Sequence, residues 1–160
     1  MPRKGRGERQ EKGEEMGRPS GQCTYPASCV SIGGAAVLIT GESGIGKSEL
    51  ALALIDRGAR LISDDQVTLR CEGEWLMASP AQNIAGQIEV RNLGLMSMPA
   101  GPDCPVALLI ELNRTAPRWI EHCDRRAILG VAIPQIMLTP DSAVLAIKAE
   151  MALQAYGLKR

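Results

Sequence analysis

The chain has 160 residues, enough for one domain of ordinary size and too few for two. At 45% hydrophobic it can build a core, but it has no Phe, two Trp and two Tyr, so aliphatic side chains and Met must fill that core; a single-strand nucleic-acid platform of stacking rings is excluded. The 18 basic and 18 acidic side chains balance, yet the basic excess sits before residue 19, so the remainder is slightly acidic, which argues against nucleic acid or an anionic membrane as partner.

In chain order, residues 1–22 are rich in Gly, Arg, Lys, Glu and Pro and nearly free of apolar side chains. They cannot offset the entropy of ordering and are expected to form a disordered charged tail. The folded domain is then residues 23–160, with order expected from near Cys29. No apolar stretch follows the charged start, and no run approaches the ~18 residues that span a bilayer. The five cysteines, Cys23, Cys29, Cys71, Cys104 and Cys123, are odd in number and form no CxxC pair. They read as reduced thiols of a cytoplasmic protein.

The run Ala35-Ala36-Val37-Leu38-Ile39-Thr40 reads as a buried strand. Strong helix formers fill positions 47–57, and Gly58 follows as a helix-ending glycine. Arg60-Leu61-Ile62-Ser63 reads as the next strand, so that strand, helix and strand make a βαβ unit with parallel strands. Short strands are expected at 66–71, 74–78, 87–90 and 106–112, in an antiparallel or mixed sheet. Pro140-Asp141 announces a last helix over 142–156, ended by Gly157, with Val144, Ile147, Met151 and Leu158 expected to be buried. Met77, Met96, Met98 and Met137 read as core filler.

Between the first strand and the first helix lies Gly41-Glu42-Ser43-Gly44-Ile45-Gly46-Lys47-Ser48, a complete G-x-x-x-x-G-K-S phosphate-binding loop. Its glycines allow a tight turn whose backbone N–H groups point at phosphate oxygens, and the helix N-terminus adds positive potential there. Lys47 can reach the β- and γ-phosphates of a nucleotide, and the Ser48 hydroxyl can ligate Mg²⁺. Asp64-Asp65 follows the second strand at its carboxyl end, where ligands of parallel sheets collect. One carboxylate can hold Mg²⁺ through water while the other accepts a proton from an attacking hydroxyl. The plain alternative is a turn pair that only ends the strand. A guanine-reading NKxD is absent, as are an LSGGQ element and the arginine-rich lid of a nucleoside kinase.

The stretch Gly41 to Leu69, GESGIGKSELALALIDRGARLISDDQVTL, resembles the core of the HPr kinase/phosphorylase family, and Ile88-Glu89-Val90-Arg91-Asn92-Leu93-Gly94 resembles a second signature of that family. The resemblance extends over about residues 24–158 and corresponds to the family's catalytic domain alone. It implies an α/β fold: a P-loop βαβ unit within a mixed, mainly β domain, as in phosphoenolpyruvate carboxykinase-like kinases. It implies that Gly41 to Ser48 bind ATP, that Ser48 and Glu89 hold Mg²⁺, and that Asp65 takes the proton of a protein serine. Residues 88–97 would line the site. Arg125, in Cys123-Asp124-Arg125, would correspond to a catalytic arginine of the family, although the flanking lengths differ; a surface arginine is the plain alternative. The implied partner is HPr, the phosphocarrier of the sugar phosphotransferase system, and longer relatives are hexamers, so the resemblance also allows a homo-oligomer.

Three departures accompany the match. Pro26 stands where the family has a histidine before the P-loop, while His122 is the only histidine in the chain. Asn92 replaces a usual Gly. The segment Leu138 to Ser142, which resembles the family's phosphate-removal loop, contains no arginine. Serine phosphorylation is therefore expected to dominate over phosphate removal. A regulatory nucleotide-binding module without catalysis, and a kinase for another acceptor, remain the alternatives.

Overall fold

The computed structural model describes residues 20–82 and 84–159. It contains strands β1 (Gln22–Tyr25), β2 (Ser28–Ile32), β3 (Ala35–Thr40), β4 (Arg60–Ser63), β5 (Val67–Glu72), β6 (Trp75–Pro80), β7 (Gln87–Val90), β8 (Gly94–Ser97), β9 (Cys104–Leu112), β10 (Asp124–Ile128) and β11 (Val131–Leu138). Helix α1 is Lys47–Asp56 and α2 is Leu145–Tyr156. The expected tail falls almost wholly outside the described residues, and Gln22 already belongs to β1, so order begins earlier than Cys29.

Nine strands form one sheet in the order β1-β5-β6-β9-β3-β2-β4, with β11 also on β9 and β10 on β11. Strands β3, β9 and β11 are parallel to one another. The sheet is therefore mixed, as expected. Its centre is apolar on both faces because alternate side chains of β3 part company: Ala36 and Leu38 enter one core, Val37 and Ile39 the other. Helices α1 and α2 cover the second core through Leu50, Ala51, Leu54, Ala149 and Ala152. The first core is closed instead by the sheet itself, where Leu69 and Leu76 of β5–β6 meet Ile128 and Ile133 of β10–β11.

Two expectations need correction. The strands flanking α1, β3 and β4, run in the same direction but are not neighbours: β2 lies between them, antiparallel to both. Its sequence, Ser28-Cys29-Val30-Ser31-Ile32, hides the strand because two serines interrupt the apolar pattern, and both are buried. Helix α2 begins at Leu145 rather than 142 and turns a different face inward. Val144, Ile147 and Met151 are 46%, 40% and 62% exposed, while the buried positions are the small Ala149 and Ala152. Alanine at those sites lets the helix lie close against α1 and the sheet, which larger side chains would prevent. Leu158 does pack inward, against the first core. The helix stops at Gly157, where a Cβ would lie 2.5 Å from the Leu153 carbonyl oxygen.

Candidate active site

Strand β3 ends at the loop Gly41 to Ser48, and α1 starts inside it. Gly41 is obligatory: its φ is 145°, and a Cβ there would lie 2.9 Å from both the Ile45 side chain and the Leu112 carbonyl oxygen. The neighbouring strand β9 thus presses directly on the start of the loop. Ile45 packs into the second core and pins the loop from below. The cap position of α1, Gly46, offers no side chain to its first turn. The first-turn N–H groups consequently have no side-chain cap, the condition an anion site at a helix start requires.

Lys47 folds back over the loop, its Nζ donating to the carbonyl oxygens of Gly41 at 2.7 Å and Glu42 at 2.9 Å. An ammonium has three donors, so one is left for a ligand. Ser48 donates to Asp64 Oδ1 at 2.7 Å. Asp64 is buried and collects two further donors: the Ser28 hydroxyl on Oδ1 at 2.9 Å and the Glu89 backbone N–H on Oδ2 at 3.1 Å. Three separate elements, β2, α1 and β7, therefore meet on one carboxylate.

Asp65 is different. It is exposed, with φ 68°, in the left-handed region that a non-glycine residue seldom adopts, and its backbone N–H donates to Ser28 Oγ at 3.2 Å. It faces a cavity of about 720 Å³ whose other lining residues include Ser43, Gly44, Gly46, Lys47, Ser48 and Glu49 on one side and Glu89 to Gly94 on the other. The second wall is the β7–β8 hairpin, a two-stranded sheet separate from the main one. Chemically the cavity combines the glycine-rich loop, exposed carboxylates at Asp65, Glu89 and Glu49, hydroxyls at Ser43 and Ser48, and two cationic side chains, Lys47 and Arg91. Hydroxyl and carboxylate oxygens are the donors a hard divalent cation such as Mg²⁺ takes, so this set fits that ion.

Sequence-derived candidates are thus largely brought together. Ser43, Gly44, Gly46, Lys47, Ser48, Asp65 and Glu89 line one cavity, whereas the Gly41 and Glu42 carbonyls hold Lys47. Asp64 stands behind the cavity and grips Ser48. Arg125 lies elsewhere, exposed on β10 opposite Pro134, and does not line the cavity; the arginine that does is Arg91. Arg114 reaches the segment Leu138 to Ser142, pairing with Asp141 at 3.1 Å, so the loop's carboxylate already engages that cation. Sequence reasoning missed Ser28, whereas Arg91 falls within the span 88–97 expected to line the site. The signal for Ser28 is a hydroxyl at the start of an apolar strand, legible only once β2 is known to be a strand. Burial pushes the Cys29 thiol well above its usual range and raises those of Cys23 and Cys71, so these cysteines stay protonated and serve packing.

Comparison with known proteins places these features in a family. The model of the HPr serine kinase C-terminal domain matches residues 20–101. The HPr kinase/phosphorylase of Chlorobium limicola is 38% identical over 128 residues, which are 71% of this chain and 39% of that protein. That of Geobacillus thermodenitrificans is 36% identical over 146 residues, 82% of this chain and 47% of that protein. The chain spans less than half the length of these curated relatives. The structure of the Hpr(Ser) kinase/phosphatase from Coxiella burnetii matches with a TM-score of 0.75 at 30% identity, over 82% of this chain and 88% of that one. No described helix is long and apolar enough to cross a membrane.

Proposed function

This chain belongs to the HPr serine kinase C-terminal domain family, and from that premise we propose that it is an ATP-dependent phosphotransferase that phosphorylates a serine of HPr. The observation that carries the proposal is the single cavity shared by the P-loop, Asp65 and Glu89. The serine oxygen attacks the γ-phosphorus, the bond from that phosphorus to the β–γ bridging oxygen breaks, and ADP leaves. The serine proton passes to Asp65, whose carboxylate is exposed in the cavity. Lys47 and the loop N–H groups bind the phosphates and offset the charge on the transferred group. Ser48 and Glu89 would hold Mg²⁺, which when bound supplies charge neutralisation at the phosphate oxygens. Glu89 suits that part because its backbone is tied, through Asp64, to Ser48.

The acceptor is tested by incubating the purified chain with γ-labelled ATP and purified HPr. Label is expected on a serine of HPr, and to depend on Lys47. Label that goes only to a small metabolite, or to no acceptor, would overturn the proposal. Transfer should also exceed removal: phosphoserine removal brings inorganic phosphate against an anionic phosphoserine and needs added fixed positive charge. Arg114, the cation that reaches the Leu138 to Ser142 segment, is already paired with Asp141. Pyrophosphate release from phosphoserine-HPr and millimolar phosphate is accordingly expected to be far slower than the forward reaction.

A further inference from the structure

We propose that Ser28 is a positioning residue that sets both carboxylates of the Asp64-Asp65 pair, and through them the cation-binding end of the cavity; this rests on the phosphotransferase reading. Strand β2 runs antiparallel between β3 and β4. Its first residue therefore lies at the edge where the other two strands finish, between the start of the P-loop and the carboxylates. Ser28 sits there, fully buried, paired in register with Ile39 of β3.

The hydroxyl has one proton and two lone pairs, and its partners assign them. The Asp65 N–H can only donate, so Ser28 Oγ accepts from it at 3.2 Å. The hydroxyl proton then goes to Asp64 Oδ1 at 2.9 Å. The same oxygen takes the Ser48 proton, so Ser48 has spent its only donor and has lone pairs left to offer. A cation ligand needs those lone pairs. Ser28 thus acts twice: it holds Asp64 in the orientation that turns Ser48 into an acceptor and anchors the β7 backbone at Glu89, and it holds the backbone of Asp65 in its left-handed conformation. Without the hydroxyl, a buried carboxylate loses one of three donors and the Asp65 N–H loses its acceptor.

The test compares the full chain with Ser28→Ala and Ser28→Thr, the second keeping the hydroxyl. Binding of a non-hydrolysable ATP analogue is followed with and without Mg²⁺, beside transfer to HPr and a thermal melt. In Ser28→Ala the Mg²⁺ concentration for half-maximal binding is expected to rise about 10-fold, the scale of a lost hydrogen bond to a charged group. Mg²⁺-free binding, which depends on Lys47 and the loop, should change by less than about twofold. Transfer should fall chiefly in kcat, and Ser28→Thr should recover most of both losses. If Ser28→Ala does not fold, Ser28→Cys keeps the volume with a weak donor and should shift the Mg²⁺ curve in the same direction. An unshifted Mg²⁺ curve, or equal losses with and without Mg²⁺, would overturn the role of Ser28. Because binding needs no acceptor, a parent chain that binds Mg²⁺ and nucleotide but ignores HPr would overturn the acceptor alone.

Discussion

The P-loop hangs from β3, four of whose six residues are buried, whereas the β7–β8 hairpin facing it across the cavity places only Ile88 fully in the core. Val90 and Met96 of the hairpin are half-buried, and Leu93 and Leu95 are 67% and 69% exposed. Among the described residues the hairpin has no ladder to the main sheet. Its ties are Ile88 in the second core with Val90, Met96 and Met98 packed against that core, the Glu89 N–H on Asp64, and, just past β8, the Leu61 N–H on the Pro99 carbonyl. One wall thus inherits its geometry from the core of the whole domain. The other is held by one fully buried side chain, Ile88, a few half-buried ones and one hydrogen bond to Asp64. A wall with few buried contacts opens at lower free energy than the global fold, so the hairpin is the wall expected to open first.

The largest effect should come from the rigid wall's chemistry. Asp65→Asn keeps the size of the side chain but removes the proposed proton acceptor; transfer to HPr is expected to drop ~10²- to 10⁴-fold while nucleotide still binds. Parent-rate transfer by Asp65→Asn would shift the base elsewhere. Lys47→Ala should weaken nucleotide binding or abolish transfer without lowering the melting temperature, since Lys47 contacts loop carbonyls rather than the core; calorimetry and a melt read the two separately.

Packing variants sharpen the contrast. Leu38→Ala, at the fully buried centre of β3, is expected to cost about 2–5 kcal/mol of global stability in denaturant titrations. Ile88→Ala also deletes a fully buried side chain, but its cost should be local. Amide exchange at residues 87–97 should accelerate while β3 and β9 stay protected, and loss of protection in both regions alike would show that the hairpin is part of the main folding unit. The smallest effect belongs to Leu95→Ala, which removes an exposed side chain and should stay within about 0.5 kcal/mol of the parent. A larger loss would mean that the hairpin's outer face is covered in solution.

The two walls also differ in how far they can be read from the chain. Continuous apolar residues at 35–40, the glycines and Lys47-Ser48 that follow, and the helix formers to Asp56 specify strand, loop and helix by contacts within a few residues. The α/β class and the glycine-rich loop at the start of α1 follow from that local order. Strands β7 and β8 share a turn at Arg91 to Leu93, yet only β7 carries enough apolar pattern to be read; β8 is mostly exposed and has almost none. Its partner wall is placed by a hydrogen bond to Asp64 spanning 25 positions in the chain.

Local pattern therefore determined the P-loop and α1, because each depends on backbone conformation and on neighbours a few residues away. Three things were left to the tertiary structure. The insertion of β2 between β3 and β4 is a choice among strand partners that periodicity cannot make, since an antiparallel neighbour and a parallel one bury the same side chains. The division of labour between Asp64 and Asp65, adjacent and identical in chemistry, was decided by burial: one points into Ser28, Ser48 and the Glu89 N–H, the other into the cavity. The inward face of α2 was decided by how closely two helices and a sheet approach, which selected Ala149 and Ala152 over the larger Val144, Ile147 and Met151. In each case the deciding contact joins residues far apart in the chain, and its free energy exists only once the sheet has brought them together.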